Sequence, residues 1–372
     1  MKTYSCQCGN TLHFENSLCL SCGRAVGFLT DALCVAGLDD DGGHILRDPG
    51  SGARYRRCRN FEGDAVCNWL VPAASDQTYC QACRLNLIIP NLDDARNRVL
   101  WSRVEAAKRR LLYGLLDLRL PVIDRVQDPD RGLGFELVAS RDSDEYANPL
   151  PPRGALTGHR TGVITIDVKE ADDSTREQVR EQMNERYRTL LGHFRHESGH
   201  YYWDYLIGRG DRIGAFRSLF GDERRDYAQA LGLYYGDGPP AGWEESYVTR
   251  YASAHPWEDW AETWAHYLHM VDTLETAHDQ GVSAHGRRLY SLQTAAQAVA
   301  GPDPRGVFDA LIADWGALSI TLNALNRSMG LPDACPFAPS GAVLEKLYFV
   351  HAVVDGKAPS ADHFPRPGGG RG

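Results

Sequence analysis

Apolar positions recur at helical intervals in three long stretches of the chain. From about Leu92 to Leu116, Val99, Val104, Leu111 and Leu115 fall on one face and several arginines occupy the other, the pattern of an amphipathic helix. Val179, Met183, Tyr187, Leu190 and Phe194 lay out a second helix. It is opened by the capping-box sequence Ser174-Thr175-Arg176-Glu177 and closed by Gly208-Arg209-Gly210, with a kink expected near Gly192. A third begins at Pro256, with Glu258 and Asp259 in the turn where acidic residues suit the helix dipole. Helical patterns then continue to about Val354.

Shorter alternating runs predict strands. Ala32–Leu38 and His44–Arg47 flank the turn-rich Asp39-Asp40-Asp41-Gly42-Gly43 as the arms of a hairpin would. Leu120–Val126, Gly134–Ala139 and Gly162–Val168 follow the first helix, and the last of these reads GVITIDV, as a strand with one wet face does. Gly236–Gly242 is a loop. The expected organisation is a small β-rich region at 1–88, ending at Ile88-Ile89-Pro90-Asn91, a mostly helical domain with a small sheet at 89–355, and a disordered tail at 356–372 ending PRPGGGRG. Taken together this is an α+β protein. No repeat of solenoid length occurs.

Composition removes several function classes. Of 372 residues, 43% are hydrophobic and 24% charged, which excludes wholesale disorder. Lys+Arg 40 against Asp+Glu 49 gives a net charge of -9, which argues against a chain held mainly by nucleic-acid phosphates. No stretch reaches the roughly 18 apolar residues of a membrane helix. The start, MKTYSCQCGN, lacks the apolar core of an export signal, so a cytoplasmic location is expected.

Nine of the ten cysteines lie between Cys6 and Cys83. Without an export signal, metal binding explains them better than disulfides do. Cys6, Cys8, Cys19 and Cys22 form C-x-C-x10-C-x2-C, in which two tight turns can bring four sulfurs to about 2.3 Å from one zinc ion. Gly9 and Gly23 follow the pairs where such turns need backbone freedom. Cys58, Cys67, Cys80 and Cys83 make a second quartet with a looser first half. Each quartet is expected to hold a structural zinc in a region too small to fold on its own core. Cys34 and Cys335 have no quartet and are expected to be buried small apolar residues. Arg54-Tyr55-Arg56-Arg57 and Arg59 place positive charge beside the second quartet, so a protein or nucleic-acid partner could dock there, although a solvated face is the commoner outcome of such a run.

The strongest chemical signal is His196-Glu197-Ser198-Gly199-His200, an H-E-x-x-H motif within a helical pattern. Histidines four apart share a helical face and can reach one zinc, while Glu197 lies beside the metal, where it can take a proton from bound water. A zinc hydrolase also needs a third protein ligand. Downstream, Glu258 and Glu262 share one face of a helix whose Trp257, Trp260, Ala261 and Trp264 form the packing face. Two carboxylates one turn apart suit a ligand and an outer carboxylate that orients a histidine. The GVITIDV strand ahead of the motif is expected to offer an open edge on which an extended peptide could pair.

These features together resemble a bacterial family of zinc-binding metallopeptidases: the amino-terminal zinc ribbon, the segment FRHESGHYYWD and the later HPWEDWAETWAHYL. The resemblance covers nearly the whole chain except its carboxy-terminal tail. In architecture it is similar to the gluzincins, whose third zinc ligand is a glutamate followed four residues later by an acid hydrogen-bonded to a zinc histidine. The resemblance implies His196, His200 and Glu258 as catalytic zinc ligands, Glu262 as the outer acid and Glu197 as general base. Glu replaces the frequent Asp at the +4 position, so the roles of Glu258 and Glu262 could be exchanged. Related zincins place a tyrosine near the oxyanion; Tyr251 and Tyr247 are the candidates, Tyr251 the better placed. His255 and His266 read as satisfied core histidines.

The implied function is zinc-dependent hydrolysis of peptide bonds, with one catalytic and two structural zinc ions and a peptide or protein substrate. The rival reading is a zinc-ribbon module binding nucleic acid or protein on a non-catalytic zincin scaffold. The intact Glu197 argues against it, because a scaffold does not need that carboxylate.

Overall fold

A computed structural model describes residues 1–63, 66–139, 158–173, 189–208, 210–299, 303–335 and 338–356. The chain is α+β, strand-rich at first and then helical. It divides into two compact units, Met1–Met183 and Asn184–Gly372.

In the first unit, β1 (Tyr4–Ser5) and β2 (Thr11–Leu12) form a small antiparallel ribbon. Gly9 and Gly23, at φ 84 and 73, supply the left-handed backbone that turns the chain after each cysteine pair. Five further strands form an antiparallel meander: β3 (Ala25–Leu29), β4 (Cys34–Asp40), β5 (Ile45–Arg47), β6 (Arg54–Arg57) and β7 (Leu70–Pro72). β4 and β5 are the expected hairpin, with the first arm running on to Asp40. Leu29, Leu38, Leu46, Tyr55 and Leu70 fill one face of the meander. Cys34 is only half-buried, because it starts an arm rather than lying within it, whereas Cys335 is buried as expected.

β8 (Asn86–Ile88), helix α1 (Ala95–Asp117), β9 (Gly134–Val138), β10 (Gly158–Arg160) and β11 (Val163–Asp167) complete this unit. Asp94 caps α1 by accepting from the backbone of Arg96 and Asn97. The helix buries Leu100, Trp101, Val104, Leu111, Leu112 and Leu115, but Val99 stays 55% exposed because the face is centred one residue further on.

Two strand expectations need correction. Residues 120–126 form no strand; only Asp124 makes a single bridge, to Leu133. The Asp124 carboxylate accepts from the backbone of Val126 and Gln127, which folds the segment into a turn. The GVITIDV segment forms β11, but β11 lies inside a sheet of order β10-β11-β9-β8 and has no open edge. Thr161 and Gly162, both at positive φ, make a two-residue turn that folds β10 back onto it.

The second unit is helical: α2 (Leu190–Leu206), α3 (Ile213–Phe220), α4 (Tyr227–Asp237), α5 (Pro256–Asp279), α6 (Leu292–Ala298), α7 (Pro304–Ser328) and α8 (Gly341–Val354). α2 begins at Leu190, where Thr189 accepts from the backbone of Gly192. The capping box at Ser174 and the carboxy-terminal tail lie outside the described residues. His255 caps α5 through its Nδ1 and Pro256 takes the first helical position.

α2 and α5 cross closely at Gly199. A Cβ there would stand 2.9 Å from Ala261 Cα, so only glycine permits this approach. Trp260 Nε1 donates to the Gly199 carbonyl at 2.8 Å and Trp264 Nε1 to Ser198 Oγ at 3.1 Å. Both indoles are fully buried. Burial of such a side chain contributes on the order of 2–3 kcal/mol, and the two N–H bonds fix the rotation of α2 against α5. A buried Lys346–Asp259 pair at 2.6 Å ties α8 to the first turn of α5. Among the described residues no helix is long and apolar enough to cross a membrane.

Candidate metal centre

Helical spacing sets His196 and His200 on one face of α2, their Nε2 atoms 3.2 Å apart. The first turn of α5 brings Glu258 to them. Its Oε2 lies 3.1 Å from His196 Nε2 and 3.6 Å from His200 Nε2. Zinc with spokes of about 2.0–2.1 Å spaces its ligand atoms about 3.3–3.4 Å apart in a tetrahedron, so the three separations suit one ion.

The donor chemistry agrees. Glu258 Oε2 is buried and has no aligned hydrogen-bond donor, although His196 Nε2 stands 3.1 Å away. Its other oxygen, Oε1, accepts from Tyr227 Oη at 2.7 Å. On the far edge of the His196 ring, Nδ1 meets Glu262 Oε1 at 2.6 Å. Glu262 Oε2 in turn accepts from Thr249 Oγ1 at 2.6 Å. A carboxylate on Nδ1 keeps the proton there and presents the Nε2 lone pair to the ion. The two glutamates therefore occupy opposite edges of one imidazole. Burial acts to raise the Glu258 carboxyl, but the charge of His200 and the contact with His196 hold it well below the usual range.

Glu197 points its Oε1 at His193 Nε2, 3.3 Å away, and buries an Oε2 that no donor meets. Burial pushes this carboxyl up, yet His193 and the charges of His196 and His200 outweigh it and bring it to about 2. Glu197 is thus an ionised carboxylate with one oxygen that no donor meets. The Tyr251 ring centroid is 6.0 Å from that of His196. Burial, together with the Glu258 charge, drives its hydroxyl well above the ordinary tyrosine value, so it stays a proton donor. Tyr247 instead packs its ring on the Lys346 ammonium, 4.5 Å from the centroid. His266 Nδ1 pairs with the Glu262 carbonyl at 2.8 Å and His255 Nε2 with the Arg225 carbonyl at 3.2 Å, as befits satisfied core histidines.

Tyr227, Thr249 and the Glu197 contact of His193 were not singled out from sequence. Tyr227 and Thr249 lie in loop-bounded segments with no motif, 31 and 13 residues from the carboxylates they touch, so no local signal marks them. His193 does carry one: it precedes Glu197 by one helical turn.

Both cysteine quartets converge. All four sulfurs of each lie within 4.8 Å of one another. Cys6–Cys22 is 3.7 Å, Cys8–Cys19 3.6 Å and Cys67–Cys80 3.5 Å. A disulfide would need about 2.05 Å, whereas the edge of a zinc tetrathiolate tetrahedron is about 3.8 Å. Cys58, Cys67, Cys80 and Cys83 are all buried, while Cys8 and Cys22 of the first quartet are exposed. The backbone and guanidinium of Arg24 lower Cys22 to about 6, which favours a thiolate.

Residues 97–353 match the family described as "Putative zinc-binding metallo-peptidase". The chain belongs to that family. Ahead of that match, residues 3–94 match a zinc-ribbon domain. Proteins described as uncharacterized from Mycobacterium bovis and Mycobacterium tuberculosis are 43% identical over 361 residues, covering 96% of this chain and 97% of theirs. No solved structure matches the chain. The zinc named by the family agrees with the three clusters of ligand atoms among the described residues.

Proposed function

We propose that this chain is a zinc-dependent peptidase whose ion is held by His196, His200 and Glu258. The observation that carries the reading is the joint geometry of the three ligand atoms, at 3.1, 3.2 and 3.6 Å, with an ionised Glu197 next to them. Zinc, when bound, supplies a Lewis acid that acidifies water and polarises a carbonyl. Glu197 accepts the proton of the attacking water on its free oxygen and passes it to the departing amine. Tyr251 keeps its proton and donates to the developing oxyanion. Glu262, braced by Thr249, holds His196 in the required tautomer, and Tyr227 holds Glu258 in its rotamer. Two further zinc ions in the cysteine quartets would brace the ribbon region.

The rival, a ribbon that binds a partner on a non-catalytic scaffold, does not need a buried, unpartnered Glu197 oxygen. Incubation of the purified chain with a peptide library, with and without a zinc chelator, tests the proposal. Cleavage that the chelator abolishes and zinc restores is expected. Cleavage that is indifferent to chelation would refute it.

A further inference from the structure

A second polar constellation lies in the amino-terminal unit and has no part in peptide hydrolysis. β6 ends at Arg57, Cys58 follows, and a single helical turn begins at Arg59. In a continuing strand these side chains would alternate between faces. The change of backbone lets Arg56, Arg57 and Arg59 line one cavity of about 350 Å³, together with His44, Thr78 and Glu62. Among the described residues of its lining, three guanidiniums and an imidazole stand with one carboxylate.

Among the described residues, no ion pair neutralises the charge there. Arg56 spends its Nη2 on the carbonyls of Ser75 and Gln77, which carry no formal charge. Arg57 lies over the Phe61 ring at 3.8 Å, and its Nη1 is buried without a hydrogen-bond partner. Among the described residues, no carboxylate comes within ion-pair distance of Arg56, Arg57 or Arg59; the remaining arginine of the strand, the exposed Arg54, does pair with Asp41 at 2.7 Å. A buried guanidinium nitrogen that lacks an acceptor is costly, and natural proteins rarely leave one so. The acceptor expected here comes from outside.

We infer that this cavity is a binding site for a phosphate group. Guanidiniums present forked N–H donors that match a tetrahedral oxyanion, and a neighbouring threonine and histidine can add further donors. Phe61 stiffens Arg57 by stacking beneath it, so little side-chain freedom remains to be lost on binding. The phosphate is either a free or small-molecule one or belongs to a nucleic-acid backbone, and both present the same oxygens.

Calorimetric titration of the full, zinc-containing chain with inorganic phosphate tests this. Saturable binding in the millimolar range or tighter is expected, weakened about 10-fold or more by Arg57→Gln. Arg288→Gln, which removes an exposed arginine elsewhere, should leave it unchanged. Zinc content equal to the parent's shows that the Arg57→Gln ribbon is still folded. A single-stranded oligonucleotide that displaces phosphate, with an affinity that falls with salt and depends on Arg57, identifies the source as a nucleic-acid backbone. Phosphate binding that the oligonucleotide cannot displace identifies a small phosphate ligand. Absence of phosphate binding by the parent, or binding equal in Arg57→Gln, overturns the site; the arginines would then serve only to balance the thiolates of the neighbouring quartet. Neither result depends on peptidase activity.

Discussion

Glu262 meets His196 at 2.6 Å on Nδ1, the edge of the ring turned away from His200. That contact separates two carboxylates that the sequence leaves interchangeable. Glu258 stands on the Nε2 edge, where both histidines converge, and Glu262 stands behind. We therefore read Glu258 as the ligand and Glu262 as the carboxylate that orients His196.

The two should differ when removed. Glu258→Ala should empty the His–His–Glu site, whereas Glu262→Ala should weaken zinc affinity by about 10–100-fold, the usual penalty for losing an orienting carboxylate. Competition with a chromophoric chelator reads both. The reverse ranking would mean the roles are exchanged.

Much of this centre was legible because its parts are local. The i, i+4 histidines and the i, i+4 glutamates each belong to one helix, and helical spacing alone sets each pair on one face. The cysteine quartets were legible for the same reason, since three of the turns are closed by cysteines with only one or two residues between them. What escaped depends on pairing at a distance. The edge of β11 is closed by β10 through the tight Thr161–Gly162 turn, and alternation along GVITIDV cannot reveal a neighbour. The run at 120–126 has strand-like composition, but Asp124 folds its own backbone into a turn. Tyr227 and Thr249 reach the site only through tertiary packing.

Metal content should follow the clusters. Three groups of ligand atoms predict three zinc ions per chain. Mild chelation should remove the ion of the His–His–Glu site first, because three protein ligands would hold it there against four in each cysteine quartet. The buried Cys58–Cys83 quartet should yield last, with loss of fold in its region. Elemental analysis of reduced, zinc-supplemented protein checks the count, and one ion or none would defeat it.

Gly199→Ala should disturb the centre without touching a ligand. The new methyl group would stand 2.9 Å from Ala261 Cα and 3.2 Å from the Trp264 ring, both in the tightest part of the α2–α5 crossing. Overpacking of this kind costs about 1–3 kcal/mol. Denaturant unfolding should show that loss, together with weaker zinc binding, since spreading the helices moves Glu258 from the histidines. Gly316→Ala is the control: it lies within α7 with open space around it, and a gain of about 0.5–1 kcal/mol is expected there. Equal effects at both positions would show that the crossing is looser than a 2.9 Å approach requires.

Glu197→Gln tests the chemistry itself. Glutamine keeps the shape of glutamate and can still meet His193, but it cannot take a proton from water. Glu197 is outside the His196–His200–Glu258 group, so zinc content and stability should be close to the parent's. General-base catalysis contributes about 10²–10⁴ in rate, equivalent to roughly 3–5 kcal/mol of barrier, so turnover of any peptide the parent cleaves should fall by that factor. The loss should appear in kcat, because the proton moves only in the transition state, while KM changes little. Were Glu197 only one more acid on a helix, its removal would leave the rate unchanged. A variant that cleaves at the parental rate takes Glu197 out of the mechanism. A variant that loses its zinc makes Glu197 a ligand, because a proton acceptor standing beside the ion has no share in holding it.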